Sequence, residues 1–149
     1  MNFEIQKMAS EHLSEVARLE IVCFSSPWSE NALAEELGNE NSHFLVAVAE
    51  NVVGYIGVQE ICGEAYITNV AVFGEHRKSG IGRALLNEAC KGAKSRGCEF
   101  ITLEVRESNL PAIGLYESEG FEKVGVRKNF YSSPTENGLI YTKYFEVSE

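Results

Sequence analysis

The chain has 149 residues, enough for one domain with a buried core, and its 44% hydrophobic and 23% charged residues are those of a soluble globular protein. No apolar run reaches the roughly 20 residues of a membrane-spanning helix. With 13 basic against 22 acidic residues, the net charge of −9 sets the surface against nucleic acid and anionic membranes, and suits a cationic partner such as an amine.

The opening, Met1-Asn2-Phe3-Glu4-Ile5, has no basic stretch ahead of an apolar one, so no secretory leader is expected and the expected location is cytoplasmic. Residues 3–7 alternate apolar and polar and predict a first strand. Ser10 offers an N-cap to a helix on which Leu13, Val16, Ala17, Glu20 and Ile21 recur at helical spacing. Cys23-Phe24-Ser25-Ser26-Pro27-Trp28 breaks that helix, and Ser29 caps a short one that stops at Gly38. Residues 43–49 and 52–61 are β-rich runs around Glu50-Asn51, a predicted hairpin, and Gly63-Glu64 turns the chain into a strand over 65–73. A polar, basic stretch over 74–82 leads into a helix over 81–96, on which Ile81, Leu85, Ala89 and Ala93 form one apolar stripe closed by Gly97. A strand over 99–105, a helix over 109–119 stopped by Gly120, and strands over 121–130 and 139–145 around a polar loop complete the order. No repeat or linker interrupts it, so residues 1–149 are read as a single α/β domain whose mixed sheet carries helices on both faces.

The four cysteines, Cys23, Cys62, Cys90 and Cys98, form no C-x-x-C pair, and His12, His43 and His76 do not cluster with them. Reduced, mostly buried thiols are expected, with no metal and no catalytic cysteine.

The strongest constellation is Ile67-Thr68-Asn69-Val70-Ala71-Val72 followed by Arg77-Lys78-Ser79-Gly80-Ile81-Gly82-Arg83. A strand enters a basic, glycine-punctuated turn and then a helix. That order aims unpaired backbone N–H groups and the positive end of the helix dipole at one point, a site for an anion. Gly80 and Gly82 let a phosphate approach the backbone, and Arg77, Lys78 and Arg83 add positive charge in an acidic chain. Neither G-x-x-x-x-G-K-[ST] nor G-x-G-x-x-G is present. The remaining pattern, R-x-x-G-x-G at Arg77, Gly80 and Gly82, resembles the Q/R-x-x-G-x-G/A signature of the GNAT superfamily.

The resemblance implies a GNAT fold, a mixed and mostly antiparallel central sheet of about seven strands with helices on both faces. It also implies acetyl-coenzyme A as cosubstrate, with no metal. The N–H groups from Lys78 through Ser79, Gly80, Ile81, Gly82 and Arg83 to Ala84 would then hold the pyrophosphate. The backbone of Val70, Ala71 and Val72 would pair with the pantetheine arm, and an N–H near Val70 would face the thioester oxygen.

A second signal follows in Leu103-Glu104-Val105-Arg106-Glu107-Ser108-Asn109. Ile101, Leu103 and Val105 share one face of their strand, leaving Thr102 and Glu104 on the other, and Glu104 lies at the strand's carboxyl end. Tyr116 is seven residues, about two helical turns, beyond Asn109. Acetyl transfer to an amine needs a proton acceptor and a proton donor, which a carboxylate and a phenol can supply. By spacing alone, a solvated Glu104 and a Tyr116 that only packs are equally open.

L-E-V-R-x-S-N-x-x-A-x-x-L-Y-x-x-x-G-F is also the pattern of the bacterial ribosomal-protein-alanine N-acetyltransferases. Leu103 to Phe121 satisfies every fixed position, including Ala112, Leu115 and Gly120. The resemblance extends upstream through Phe24 to Trp28 and downstream through Val126 to Tyr131. It implies Glu104 as general base, Tyr116 as general acid, with Asn109 and Tyr116 against the coenzyme. The partner it implies is a protein N-terminus, that of a small-subunit ribosomal protein beginning with alanine. Phe24, Pro27, Trp28 and Tyr131 would line the acceptor groove, although Phe24 and Trp28 could equally staple helices to the core.

Departures fall at Phe130, where the family has a second tyrosine, and at Asn137-Gly138, where it has Asp-Ala. They touch the acceptor side. Gly114 lies within a predicted helix, where alanine would be better by about 1 kcal/mol. A lysine or small-molecule amine as acceptor is the alternative within enzymes, and a non-catalytic coenzyme-binding module the alternative outside them. No feature of the sequence specifies an oligomeric state.

Overall fold

The computed structural model describes residues 2–74 and 79–146. Strands β1 (Glu4–Lys7), β2 (Leu45–Val48), β3 (Val52–Ile61), β4 (Glu64–Val72), β5 (Phe100–Arg106), β6 (Glu122–Tyr131) and β7 (Glu136–Tyr144) form one sheet in the order β1-β2-β3-β4-β5-β7-β6. Every neighbouring pair is antiparallel except β4 and β5. The chain makes that parallel step through a helix, as parallel neighbours require. The expected mixed, mostly antiparallel sheet is therefore present.

Helices α1 (Leu13–Cys23) and α2 (Glu30–Leu37) cover one face. There Leu13, Val16, Leu19 and Leu33 pack with Phe44, Val46, Tyr55 and Ala71. Helices α3 (Ile81–Ser95) and α4 (Leu110–Ser118) cover the other. Ile81, Leu85, Ala89 and Ala93, the predicted stripe, are buried there with Leu86, Tyr116, Ile101, Leu103 and Val105. Removing these apolar surfaces from water is the main favourable term holding the layers together.

Several local expectations need correction. Ser10 begins a 3-10 turn, Ser10–His12, and α1 starts after it, so Ser10 is not the helix cap. Ile21 is 68% exposed, and Leu19 occupies the buried stripe in its place. Gly38 ends α2 with φ −91°, an ordinary right-handed conformation. Ser29 does cap α2, its Oγ accepting from the Ala32 N–H at 3.0 Å. Strand β7 begins at Glu136, three residues before the expected start, because Tyr131 pairs with Glu136 and Gly138 with Arg106. Cys90 and Cys98 are buried, Cys23 is half-buried and Cys62 is exposed, so burial of the thiols is only partial.

Two features of β4 prepare a site. Its pairing with β5 covers only Glu64, Ala65 and Tyr66 against Phe100, Ile101 and Thr102, after which no pairing joins the two strands. The opposite edge of β4 stays paired to β3 as far as Val72. A bulge at Thr68 lies between the Val58–Ile67 and Gly57–Asn69 pairs. Gly57 makes room for it, since a Cβ there would stand 2.3 Å from the Thr68 hydroxyl.

Candidate active site

The site begins at the gap between β4 and β5. The Phe73 N–H donates to Val53 O of β3 at 3.1 Å, and the register from Asn69 to Val72 is unbroken. Backbone groups alternate sides along a strand, so Val70 directs its N–H away from β3 and into the gap. Where the neighbouring strand has diverged, as at Val70, a strand edge can accept an extended ligand as if it were another strand.

At the far end of β4 the chain enters α3. Gly80 is its N-cap with φ +83°, a conformation that favours glycine, although a Cβ there would meet nothing within 4 Å. The Ala84 N–H donates to Gly80 O at 3.0 Å, so Ala84 is committed to the helix and leaves the predicted anion-binding set. The amides of Gly80, Ile81, Gly82 and Arg83 have no partner within the helix. Gly82 is not demanded by packing, because a Cβ there would make ordinary contacts, 3.6 Å to Leu115 and 4.0 Å to Val72. Alanine would favour the helix by about 1 kcal/mol, so the bare backbone at Gly82 fits a group that must approach it closely. The Arg83 guanidinium is drawn to Glu119 and to Ser118 Oγ, at 3.1 Å from the latter, so its side chain serves the α3–α4 contact. Arg77 and Lys78 lie outside the described residues, and Ser79 immediately precedes the cap.

Glu104 projects from β5 on the face opposite Ile101, Leu103 and Val105, and its Oε1 lies 3.1 Å from Arg127 Nε on β6. Tyr116, on α4, belongs to the buried cluster on the α3 side, with its ring 5.8 Å from that of Phe121. Its hydroxyl makes no hydrogen bond among the described residues. Burial, and then the nearby Tyr131, push its pKa up to about 12. Tyr131 is likewise pushed up to about 12, by burial first and then by the Glu104 charge. The Glu104 charge thus acts on Tyr131, and Tyr131 on Tyr116.

Asn109 caps α4 with its Oδ1, which accepts from the Ala112 N–H at 3.3 Å, leaving the amide donor for a ligand. Phe24 and Trp28 are half-buried against the α1-side core, and the Trp28 ring lies 5.7 Å from Phe44. Both pack on the core with part of their surface still open to solvent, and Pro27 between them is exposed.

A residue beyond those predicted, Arg106, lies against Tyr131. Arg106 donates to Ser132 O at 3.0 Å, Pro134 O at 2.9 Å and Glu136 Oε2 at 3.2 Å, and its guanidinium lies 4.5 Å from the Tyr131 ring centre. It ties the β6–β7 turn to the end of β5. Hydrogen bonds from Ser108 and the Arg106 charge hold the Glu136 carboxyl below its ordinary value. Arg106 was visible in the L-E-V-R motif, but its partners lie about 30 residues away in sequence, beyond the reach of spacing arguments. Among the described residues no group of three or more His, Cys, Asp or Glu is placed to hold a metal ion, and no helix is long and apolar enough to cross a membrane.

A mostly antiparallel sheet opened between two parallel strands, with an amide-lined helix start beyond the opening, is the architecture of an enzyme that takes a phosphate-bearing carrier along a strand edge. The family model "Acetyltransferase (GNAT) family" matches residues 13–121. The chain belongs to that family, on the branch of the ribosomal-protein-alanine N-acetyltransferases, and is an acetyl-coenzyme A-dependent N-acetyltransferase. A Bacillus subtilis protein provisionally named a ribosomal protein bS18-alanine N-acetyltransferase is 35% identical over 138 residues, 91% of each chain. The Escherichia coli K12 ribosomal protein bS18-alanine N-acetyltransferase is 33% identical over 134 residues, 90% of this chain and 89% of that one. A crystal structure of the ribosomal-protein-S18-alanine N-acetyltransferase from Escherichia coli superposes with a TM-score of 0.90 at 28% identity, covering 99% of this chain and 97% of the other.

Proposed function

We propose that this enzyme acetylates the α-amino group of a protein N-terminus in the cytoplasm, with the N-terminal alanine of a small-subunit ribosomal protein as its favoured acceptor. The observation that carries this reading is the opening between β4 and β5 beyond Tyr66, which the Val70 N–H faces and which leads to the glycine-capped start of α3. The relatives' names support the acceptor.

The amides of Gly80, Ile81, Gly82 and Arg83, with Arg77 and Lys78, hold the pyrophosphate of acetyl-coenzyme A. Val70, Ala71 and Val72 carry the pantetheine arm along the open edge of β4. Phe24, Pro27, Trp28 and Tyr131 flank the acceptor. Glu104 takes a proton from the acceptor ammonium, directly or through a water, and the freed amine attacks the thioester carbon. The Val70 N–H donates to the oxygen on which negative charge develops. Tyr116 gives its proton to the sulfur as the carbon–sulfur bond breaks. Atoms balance as acetylated amine, free coenzyme thiol and one released proton: the ammonium proton taken by Glu104 passes to solvent, and the second proton, lost by nitrogen as the intermediate collapses, replaces through solvent the one Tyr116 gave to the sulfur.

An α-amine has a reference pKa of about 8 against about 10.4 for lysine, so Glu104 has far less work to do at an N-terminus. Mass spectrometry of a peptide that begins with alanine and contains an internal lysine, incubated with enzyme and acetyl-coenzyme A, tests this choice. Acetylation is expected at the N-terminus. Modification confined to the lysine would reject the reading.

A further inference from the structure

Helix α1 carries a carboxylate with no exposed surface, since Glu20 is 0% exposed. A buried carboxylate is costly unless its oxygens are satisfied. The Trp28 N–H donates to Oε1 at 2.9 Å, the Tyr55 hydroxyl to Oε2 at 2.9 Å, and Asn69 Nδ2 to both, at 3.1 and 3.2 Å. These donors come from the turn after α1, from β3 and from β4. None is a basic side chain. Burial raises the Glu20 pKa, and the bonds from Trp28, Tyr55 and Asn69 work against that rise.

The β4 bulge explains how Asn69 reaches Glu20. Residues two apart on a regular strand share a face. Ile67, however, is buried on the α3 side, while Asn69 turns to α1, because Thr68 is the extra residue between them. Immediately after Asn69 comes Val70, whose N–H enters the gap. At its other oxygen contacts the same carboxylate holds the turn that contains Phe24, Pro27 and Trp28. One side chain thus joins the turn beside the acceptor groove to the strand beside the thioester.

We propose that Glu20 is a positioning residue for acceptor binding: through the Trp28 N–H and Asn69 it sets the spacing between the acceptor wall and the open edge of β4. This rests on the reading of the Phe24 to Trp28 turn as an acceptor wall. Glu20 does not touch either substrate, and its effect is transmitted through the two groups it holds.

Glu20→Gln keeps the shape and one oxygen but removes the charge that strengthens the bond to Trp28. The KM for an alanine-first peptide should rise about fivefold, the factor given by losing charge assistance on one hydrogen bond. Acetyl-coenzyme A affinity, measured by calorimetry, should stay within about twofold, because the amides of the α3 start are untouched. Trp28 is the chain's one tryptophan, so its emission should shift to the red as the turn loosens. Asn69→Ala cuts the same link at the β4 end and should raise the same KM. Tyr55→Phe removes a donor from the core side only, so it should lower Tm with the peptide KM nearly unchanged. An unchanged peptide KM in both link variants overturns the proposal, as does an equal rise in Tyr55→Phe, which would mark general loosening. If the wild-type enzyme does not acetylate the peptide at all, the acceptor reading itself falls and this proposal with it, an outcome distinct from an active enzyme indifferent to Glu20.

Discussion

Glu104 and Tyr116 lie on opposite faces of the sheet. Glu104 points away from the cluster that holds Ile101, Leu103 and Val105, and Tyr116 lies within it. In the proposed mechanism that separation lets Glu104 serve the incoming amine and Tyr116 the departing sulfur. Glu104→Gln should therefore lower turnover with acetyl-coenzyme A affinity nearly intact, and the deficit should shrink as pH rises and the amine deprotonates unaided. Rates across pH, paired with calorimetry, test both halves. Tyr116→Phe deletes one hydroxyl that has no partner among the described residues. A loss of about a hundredfold or more in rate is expected, with a stability change of only ~1 kcal/mol. Because the Tyr116 pKa is raised to about 12, its proton is in place throughout the neutral and mildly alkaline range. The rate profile of the wild type should thus show no fall from Tyr116 ionisation between about pH 8 and about pH 10. A thioester with a better leaving group should recover part of the Tyr116→Phe loss.

In the proposed mechanism the start of α3 is where an element, rather than a side chain, does the binding. Gly82 costs the helix about 1 kcal/mol relative to alanine, and neighbouring atoms leave ordinary room for a Cβ. Gly82→Ala should therefore raise the unfolding free energy by about 1 kcal/mol while weakening acetyl-coenzyme A. Gly82→Asp should weaken it sharply, since a carboxylate would crowd the pyrophosphate. Calorimetric affinity and thermal unfolding on the same samples separate the two effects, and unchanged affinity in both variants would remove the anion site from this turn. The β6–β7 hairpin shows a different kind of element-level dependence. Phe130 packs over Gly138, where a Cβ would stand 3.1 Å from its ring, and Asn137 Oδ1 accepts from the Asn129 N–H at 2.9 Å. The three departures from the family pattern therefore touch one another's surroundings in a single hairpin. Its Arg127, 5.4 Å from the Phe130 ring centre, reaches Glu104.

Across the whole molecule, the sheet is joined at its middle by the short β4–β5 pairing, and beyond Tyr66 the two strands separate. A coenzyme arm laid along Val70 to Val72 would fill that opening and brace the two sides. Acetyl-coenzyme A should accordingly raise Tm, by an amount equivalent to about 2.7 kcal/mol at free concentrations about 100 times Kd. Hydrogen exchange should show protection of the Val70 amide, which faces the gap. The Ala71 amide, already directed at β3, should change little. Equal protection across β4 would argue that the ligand tightens the molecule without pairing to this edge.

The sequence by itself determined the order of elements and the α3 start, and it offered Glu104 and Tyr116 as the pair proposed for the chemistry, because each is written in residues close along the chain. Hydrophobic periodicity located α3 and its stripe, Ser29 marked the start of α2, and R-x-x-G-x-G with L-E-V-R-x-S-N carried the chemistry. Tertiary structure alone decided how those parts meet. The Thr68 bulge, which turns Asn69 toward Glu20, arises from pairing between β3 and β4. Glu20 could be read in the sequence only as a polar interruption of an apolar stripe, since its donors Tyr55 and Asn69 lie 35 and 49 residues away. Arg83, expected at the phosphate, instead bonds Glu119, and Ala84 closes the first helical turn. Local patterns report which groups are available. Where each one is spent depends on hydrogen bonds and charges supplied by distant segments, which only the packed fold brings within range.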